Sequence, residues 1–565
     1  MSTPDSSQGN EAAEMASVME RPLTGRLKAY TSKCGPGWLQ GAITLGGGSL
    51  AGSLYLGIIA GYAFMWLQPI AMVMGVIMLS AISYVTLSTG RRPFGAINEH
   101  VSPLLGWGWL IATLMANIVW CLPQFALGSA AIQQNLIPGL NNPDSNVDEF
   151  GIAIVLLIVA SGVIWLYDSP GKGVKIFENI LKVMVGIVVL SFFGVVLAMA
   201  NNLPWGEIFS GLIPDFSLFS SPAPLYEEAI SQTGSSADFW RSYVVGQQKS
   251  KMIAAFATAV GINMTFLLPY SMLKKGWGKN HRGLAIFDLS TGLIIPYVLA
   301  TACVVIAAAS QFHGKSDDVF VDGQINPKMV GQYYSVADKR LAKDNAGFAA
   351  LDAAEKQTLR DQLPESDKRM AAMLAERDSI NLANALKPLT GPLFAQIIFG
   401  VGVLGMALST IIILMLISGF TFCEMLNVPS EGMTHRIGCL IPGVIGIFFP
   451  IIWAGQSKAA LAVPTSVIGG ALLPIAYFTF LLLMNSKRLL GDAMPKGTSR
   501  IIWNVLMVTA TVIATFASVW GLINRTMAIG GSQFPIGKVF IFVLVALLVV
   551  GAATFIAKNK APSEA

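Results

Sequence analysis

Apolar residues in this chain run in long uncharged blocks separated by short polar connectors. The blocks fall at about 37–61, 63–89, 104–136, 149–167, 174–200, 252–273, 284–310, 389–424, 437–454, 460–485, 500–523 and 537–557. Blocks of about 18–25 residues are long enough to cross a ~30 Å hydrocarbon core. Inside a bilayer every backbone N–H and C=O needs an internal partner, and the alternating pattern of a closed barrel is absent, so the blocks predict helices. The expected fold class is an all-α integral membrane protein of about 12 transmembrane helices.

Composition sharpens this reading. Only 12% of the 565 residues are charged, against roughly 25% in soluble domains. The 56 glycines and 28 prolines suit membrane helices, which tolerate both. The five cysteines, Cys34, Cys121, Cys303, Cys423 and Cys439, have no zinc-like or redox spacing. The net charge of +5 sits in connectors, so it reports topology and not nucleic-acid binding.

Arg91 and Arg92, Lys172 and Lys175, Lys274 with Lys275, and Lys487 with Arg488 all follow even-numbered blocks. By the positive-inside rule these connectors and both termini are cytoplasmic, and a cell (plasma or inner) membrane is the expected location. Residues 1–36 form a polar tail without the apolar core of a cleavable signal. The core is expected over 37–314 (spans 1–7) and 386–491 (spans 8–10), with two extra spans and a short tail over 492–565. Between the core segments, 315–385 is charged and alanine-rich ("LDAAEKQTLRDQ"), which predicts a helical extracytoplasmic insert.

Two spans carry helix-breaking residues. Gly46-Gly47-Gly48-Ser49 interrupts span 1, and Pro269 lies within "GINMTFLLPYSMLKK" of span 6. Each glycine weakens a helix by about 1 kcal/mol relative to alanine, and proline deletes a hydrogen bond. Breaks five spans apart predict two inverted five-helix repeats with discontinuous helices 1 and 6 meeting at the midplane. The competing reading is close glycine packing in one span and a proline kink in the other.

Several stretches carry a family resemblance. "GPGWLQGAI" opens span 1, "KIFENILKVMVGIVVLSF" forms span 5, "AAASQFHG" ends span 7, "LTGPLFAQIIFGVGVLGMALST" opens span 8 and "LLPIAYFTFLLLMNSKRLLG" covers span 10. In order and spacing they resemble the Nramp metal-ion transporters. The resemblance implies a leucine-transporter-type 5+5 inverted repeat, and symport of a metal ion by alternating access. Its ligand signatures are altered. The first-helix Asp-Pro-Gly-Asn reads Gly46, Gly47, Gly48 and Ser49. The sixth-helix Met-Pro-His reads Leu268, Pro269 and Tyr270, the tenth-helix Gln falls at Ser466, and span 3 has no acid for the proton path.

The residues left at the breaks are neutral. Ser49, Ser53, Asn263, Thr265 and Tyr270 are the candidate binding side chains, beside the backbone of Gly46, Gly47 and Gly48 and the helix segment Leu268–Pro269. Transition metals favour carboxylate, imidazole or sulfur ligands, so these groups suit an ion that keeps water. A glycine-rich bend at a half-helix N-terminus equally suits an anion. The substrate therefore stands open between a metal ion and a small organic solute such as an amino acid or organic acid. A transporter-derived sensor is the alternative of another class.

Candidate gate or coupling residues are Gln124 beside Pro123, Asp288 at the start of span 7, Ser466, and Glu178, one turn from Lys182 and so spaced for an ion pair. Asp288 reads alternatively as a solvated helix-start carboxylate, and the four histidines as incidental. A coupling proton or sodium ion and the lipid bilayer are the expected partners, and no cofactor is expected. No phosphate-binding loop is present, so ATP is not the direct driver. No cluster of catalytic acids or histidines faces across the spans, so an enzyme is not expected.

Overall fold

The structure is a computed structural model that describes residues 14–137, 140, 147–169, 172–453, 461–529 and 532–560. Among these, eleven helices are long and apolar enough to cross a membrane, and one bent pair brings the number to twelve. The chain is a multi-pass membrane protein with the leucine-transporter-type 5+5 inverted repeat.

Span 1 is two helices, Pro36–Thr44 and Gly47–Ala60, bent by 53°. Span 2 is Leu67–Thr89, span 3 runs from Pro103 to Leu136, span 4 is Val147–Tyr167 and span 5 is Gly173–Met199. Span 6 is again two helices, Ala237–Ala257 and Ile262–Lys274. Span 7 covers Lys279–Phe312, span 8 Ser379–Met425, span 9 Gly432–Ile452 and span 10 Ala462–Met484. Spans 11 and 12 are Gly497–Leu522 and Ile536–Lys560. Predicted block positions 454 and 460 lie outside the described residues.

Three boundaries differ from expectation. Span 6 starts near 237 and not 252, because its first half carries Arg241, Lys249 and Lys251 beyond the apolar zone. Its break lies at Thr258–Gly261, upstream of Pro269, which sits inside the second half-helix. Span 8 starts at Ser379, where Asp378 accepts the N–H groups of Ile380 and Asn381, both at 3.0 Å, and it bends at Gly391 with φ 80°.

The bundle has two faces. One carries the N-terminal helix Leu23–Lys33, where Tyr30 packs on Phe287 of span 7. The other carries the insert, made of a short antiparallel pair (Phe320–Val321 with Gln324–Ile325) and the helices Val330–Asp344, Ala353–Asp361 and Glu365–Met373. A buried polar cluster ties the insert to span 6. Asp367 accepts from Trp240 Nε1 at 2.7 Å, from Ser236 Oγ at 3.0 Å and from Arg340 Nε at 3.2 Å.

Candidate functional site

The backbone of span 1 leaves the helix at Leu45 and Gly46, and Gly46 is extended. Extended backbone is open to any residue, so the glycines answer to a different need. A Cβ on Gly46 would press on Thr410, and one on Gly48 would overlap the Trp120 ring. The glycine run thus opens the chain at its first residue and admits close neighbours at its first and third.

Freed backbone groups cannot be left bare in hydrocarbon. At the first break, Ser409 Oγ donates to the Ala42 carbonyl at 2.9 Å and Thr410 Oγ1 to the Ile43 carbonyl at 3.3 Å. The Gly47 N–H donates to Gln124 Oε1 at 2.8 Å. At the second break, the Gly261 N–H reaches Met264 Sδ at 3.4 Å. The two breaks also serve each other. Gln40 Nε2 donates to the Met264 carbonyl at 3.3 Å, and Thr44 Oγ1 donates to Met264 Sδ at 3.1 Å.

Between the breaks lies a cavity of about 30 Å³. That is room for one or two water-sized particles. Gly46, Ser49, Trp120, Gln124, Asn263 and Thr410 are among its lining residues. Its lining holds no acid or base, and no group of three or more His, Cys, Asp or Glu among the described residues could hold a metal ion. Met264 sulfur already accepts two donors, and Asn263 Oδ1 accepts its neighbour's N–H at 3.0 Å. Gln124 Nε2 is buried without a partner.

The structure brings Gly46, Gly48, Ser49, Gln124 and Asn263 together at the cavity, with Gly47 against Gln124. The other candidates lie elsewhere. Ser53 is one turn farther, bonded to Gln68 and the Ser49 carbonyl. Thr265 accepts from Trp109 Nε1 at 2.9 Å. Leu268, Pro269 and Tyr270 are buried along the second half of span 6 and do not line the cavity. Their expected place at the break belongs to Asn263 and Met264, because the chain opens at 258–261. Tyr270 instead joins a ring stack, Trp109–Phe266–Tyr270–Phe420, with centroids 4.5, 4.6 and 5.7 Å apart. Ser466 lines a neighbouring pocket beside Gly48 and Lys251.

Charged groups tie the spans together at the N-terminal face. Asp288 is 1% exposed, which corrects the solvated reading. It accepts the N–H of Gly35 at 3.1 Å and of Gly37 at 2.7 Å, where the first half of span 1 begins. A carboxylate there is favoured by the free N–H groups and the helix dipole. Glu178 pairs with Lys275 of span 6 at 2.7 Å and not with Lys182, which donates to the Cys34 carbonyl at 2.7 Å. His435, read as incidental, is fully buried against Asp168 at 2.8 Å, with Lys274 at 3.6 Å from that carboxylate.

Sequence reasoning missed Trp120, Thr44, Thr258, Met264 and Thr410 as lining residues. The hydroxyl pair Ser409-Thr410 within an apolar span was the available cue. The Asp168–His435 contact joins residues far apart in the chain, and no spacing rule reaches it.

Paired breaks meeting at a central cavity within inverted five-helix repeats define a leucine-transporter-type membrane transporter fold. The model of the Natural resistance-associated macrophage protein-like family, Nramp, matches residues 37–324 and 370–524. The chain belongs to that family, with most of the insert outside the match. A divalent metal cation transporter, MntH 1 of Pseudomonas aeruginosa, is 21% identical over 86% of this chain and 91% of its own length. The metal transporter Nramp2 of Populus trichocarpa is 29% identical over 28% of each chain, so the alignment spans under a third of that plant relative. A crystal structure of the Eremococcus coleocola manganese transporter shares the fold, with TM-score 0.64 and 13% identity over 95% of this chain and 97% of that one.

Proposed function

We propose that this protein is a secondary transporter that carries a divalent metal ion across a cell membrane by alternating access. The observation that carries this reading is the size and place of the central cavity. At about 30 Å³ it holds one or two water-sized particles and so accepts a small ion directly, while a larger solute needs a wider conformation. The metal-transporting relatives support the same substrate class. The ion would rest against neutral oxygens of Ser49, Thr410 and the opened backbone. With no carboxylate to offset the desolvation of a bare divalent ion, it keeps part of its water, which favours a hard ion over a sulfur-seeking one.

In this reading the site is closed off from both faces. The Asp288 and Glu178 contacts and the ring stack seal the N-terminal face. Transport would alternate the release of that seal with release of the opposite one. The basic connectors support an orientation with both termini cytoplasmic and the insert outside. A coupled proton or sodium ion is part of the proposal, and its charge would be taken up away from the central cavity.

A second reading rests on Gln124 Nε2, an unpaired donor at the cavity. A donor suits a ligand with an acceptor, such as a small organic acid, and that ligand would require a wider conformation. Isothermal titration of the purified protein with Mn²⁺, Mg²⁺, amino acids and organic acids, beside Gly47→Trp, separates the readings. Metal binding lost in the variant supports the metal reading. Binding of an organic acid alone replaces the substrate, and no binding by either class shifts the reading to a sensor.

A further inference from the structure

Three pockets lie in series from the central cavity toward the insert face. The central cavity shares Gly48 with a small pocket lined by Gly52, Tyr55, Lys251 and Ser466. That pocket shares Tyr55 and Lys251 with a basin of about 330 Å³ bounded by Tyr243, Lys339 and Glu376. Tyr55 belongs to the second half of span 1, Lys251 to the first half of span 6, and Glu376 to the end of the insert.

Lys251 stands between basin and site. Its ammonium lies 2.7 Å from Glu376 Oε1 and 4.0 Å over the Tyr55 ring, and the residue is 8% exposed. Glu376 is held in place by its neighbours. Arg377 is fully buried and donates to the carbonyls of Met373 and Ala375 at 3.0 and 2.7 Å, while pairing with Asp318 at 2.8 Å. Asp378 caps span 8. Tyr226 Oη, from the connector, donates to the Ile58 carbonyl at 3.0 Å at the end of span 1.

We propose that Lys251 is the gate and charge filter of the passage from the insert face, and that Glu376 of the insert is its latch. The insert is then part of the transport path. While the pair is closed, the ammonium blocks the passage between the half-helices and the carboxylate cancels its charge. Cations pass when the two side chains swing aside together as a neutral pair; with the Glu376 charge removed, Lys251 and Lys339 leave the basin positive, and entry of cations is selectively slowed. This inference rests on the alternating-access reading above.

The test places a thiol behind the gate as Ser466→Cys and measures its modification by neutral, cationic and anionic methanethiosulfonate reagents on the purified protein. The parent without this thiol sets the background of the native cysteines. Glu376→Gln is expected to speed neutral labelling by roughly fivefold to tenfold, the shift that loss of one half-buried ion pair gives, and to favour the anionic reagent. Lys251→Gln is expected to speed the cationic reagent most. The charge swap, Lys251→Glu with Glu376→Lys, is expected to restore slow labelling and guards against misfolding of the single variants. Equal labelling in all variants overturns the gate. Ion flux in proteoliposomes is read in parallel. Flux with unchanged labelling rejects the gate and keeps the transporter, whereas gated labelling without flux of any tested ion rejects the transporter reading alone.

Discussion

The side-chain oxygen of Gln124 accepts the Gly47 N–H at 2.8 Å, so span 3 caps the second half-helix of span 1 where it begins. This bond fixes the amide. A flipped side chain would set donor against donor. Gln124→Leu strands the N–H at a cost of about 1–3 kcal/mol, and metal binding by titration should weaken roughly tenfold or more. Gln124→Glu keeps the acceptor and adds a carboxylate to the cavity. It should strengthen Mn²⁺ binding, and it would abolish binding of an organic anion.

Gly48 and Trp120 form a second testable pair. The ring occupies the space a Cβ would need. Gly48→Ala should remove most metal binding by pushing the ring into the cavity. Adding Trp120→Ala should recover part of it, with a coupling of about 1–3 kcal/mol in a double-mutant cycle.

Asp288 holds the start of span 1 through the N–H groups of Gly35 and Gly37. Asp288→Ala leaves both without that acceptor and should lower stability by about 2–4 kcal/mol. Asp288→Asn retains one oxygen and should cost less. Thermal unfolding in detergent measures the loss, and faster hydrogen exchange over 35–44 would place it at this half-helix.

The buried contact between His435 and Asp168 also contributes to stability. His435→Ala leaves the carboxylate with Lys274 at 3.6 Å and Arg436 at 4.0 Å. The expected destabilisation is about 1–3 kcal/mol, the loss of one hydrogen bond to a buried carboxylate whose charge the two cations still offset. The double variant with Asp168→Ala should cost less than the sum of the two single losses, read by denaturant unfolding.

The spans were legible because an uncharged run of sufficient length has few other stable places, and the first break was legible because three consecutive glycines serve a helix poorly. The second break misled the reading. Pro269 is the most conspicuous helix breaker in span 6, yet it is carried inside Ile262–Lys274. The true opening has one local cue, Gly261, among Thr258, Ala259 and Val260. The start of span 6 was hidden by Lys251 and Arg241, whose charges mark a helix leaving the apolar zone for the insert. Glu178 looked paired with Lys182 by helical spacing, but Lys275 arrives from another repeat. Contacts of that kind depend on how the repeats interleave, which local pattern does not encode.

The bonds that cross between the two breaks constrain motion as well as shape. Gln40 and Thr44 of the first half of span 1 end on Met264 of the second half of span 6. If either segment swung alone, the Met264 carbonyl and the Thr44 hydroxyl would have to find other partners at the moment of least hydration. The two half-helices are therefore expected to travel as one lever, and the opposite pair, which carries Tyr55 and Lys251, as another. A substrate would meet two jaws hinged on shared polar bonds, not four independent helix ends.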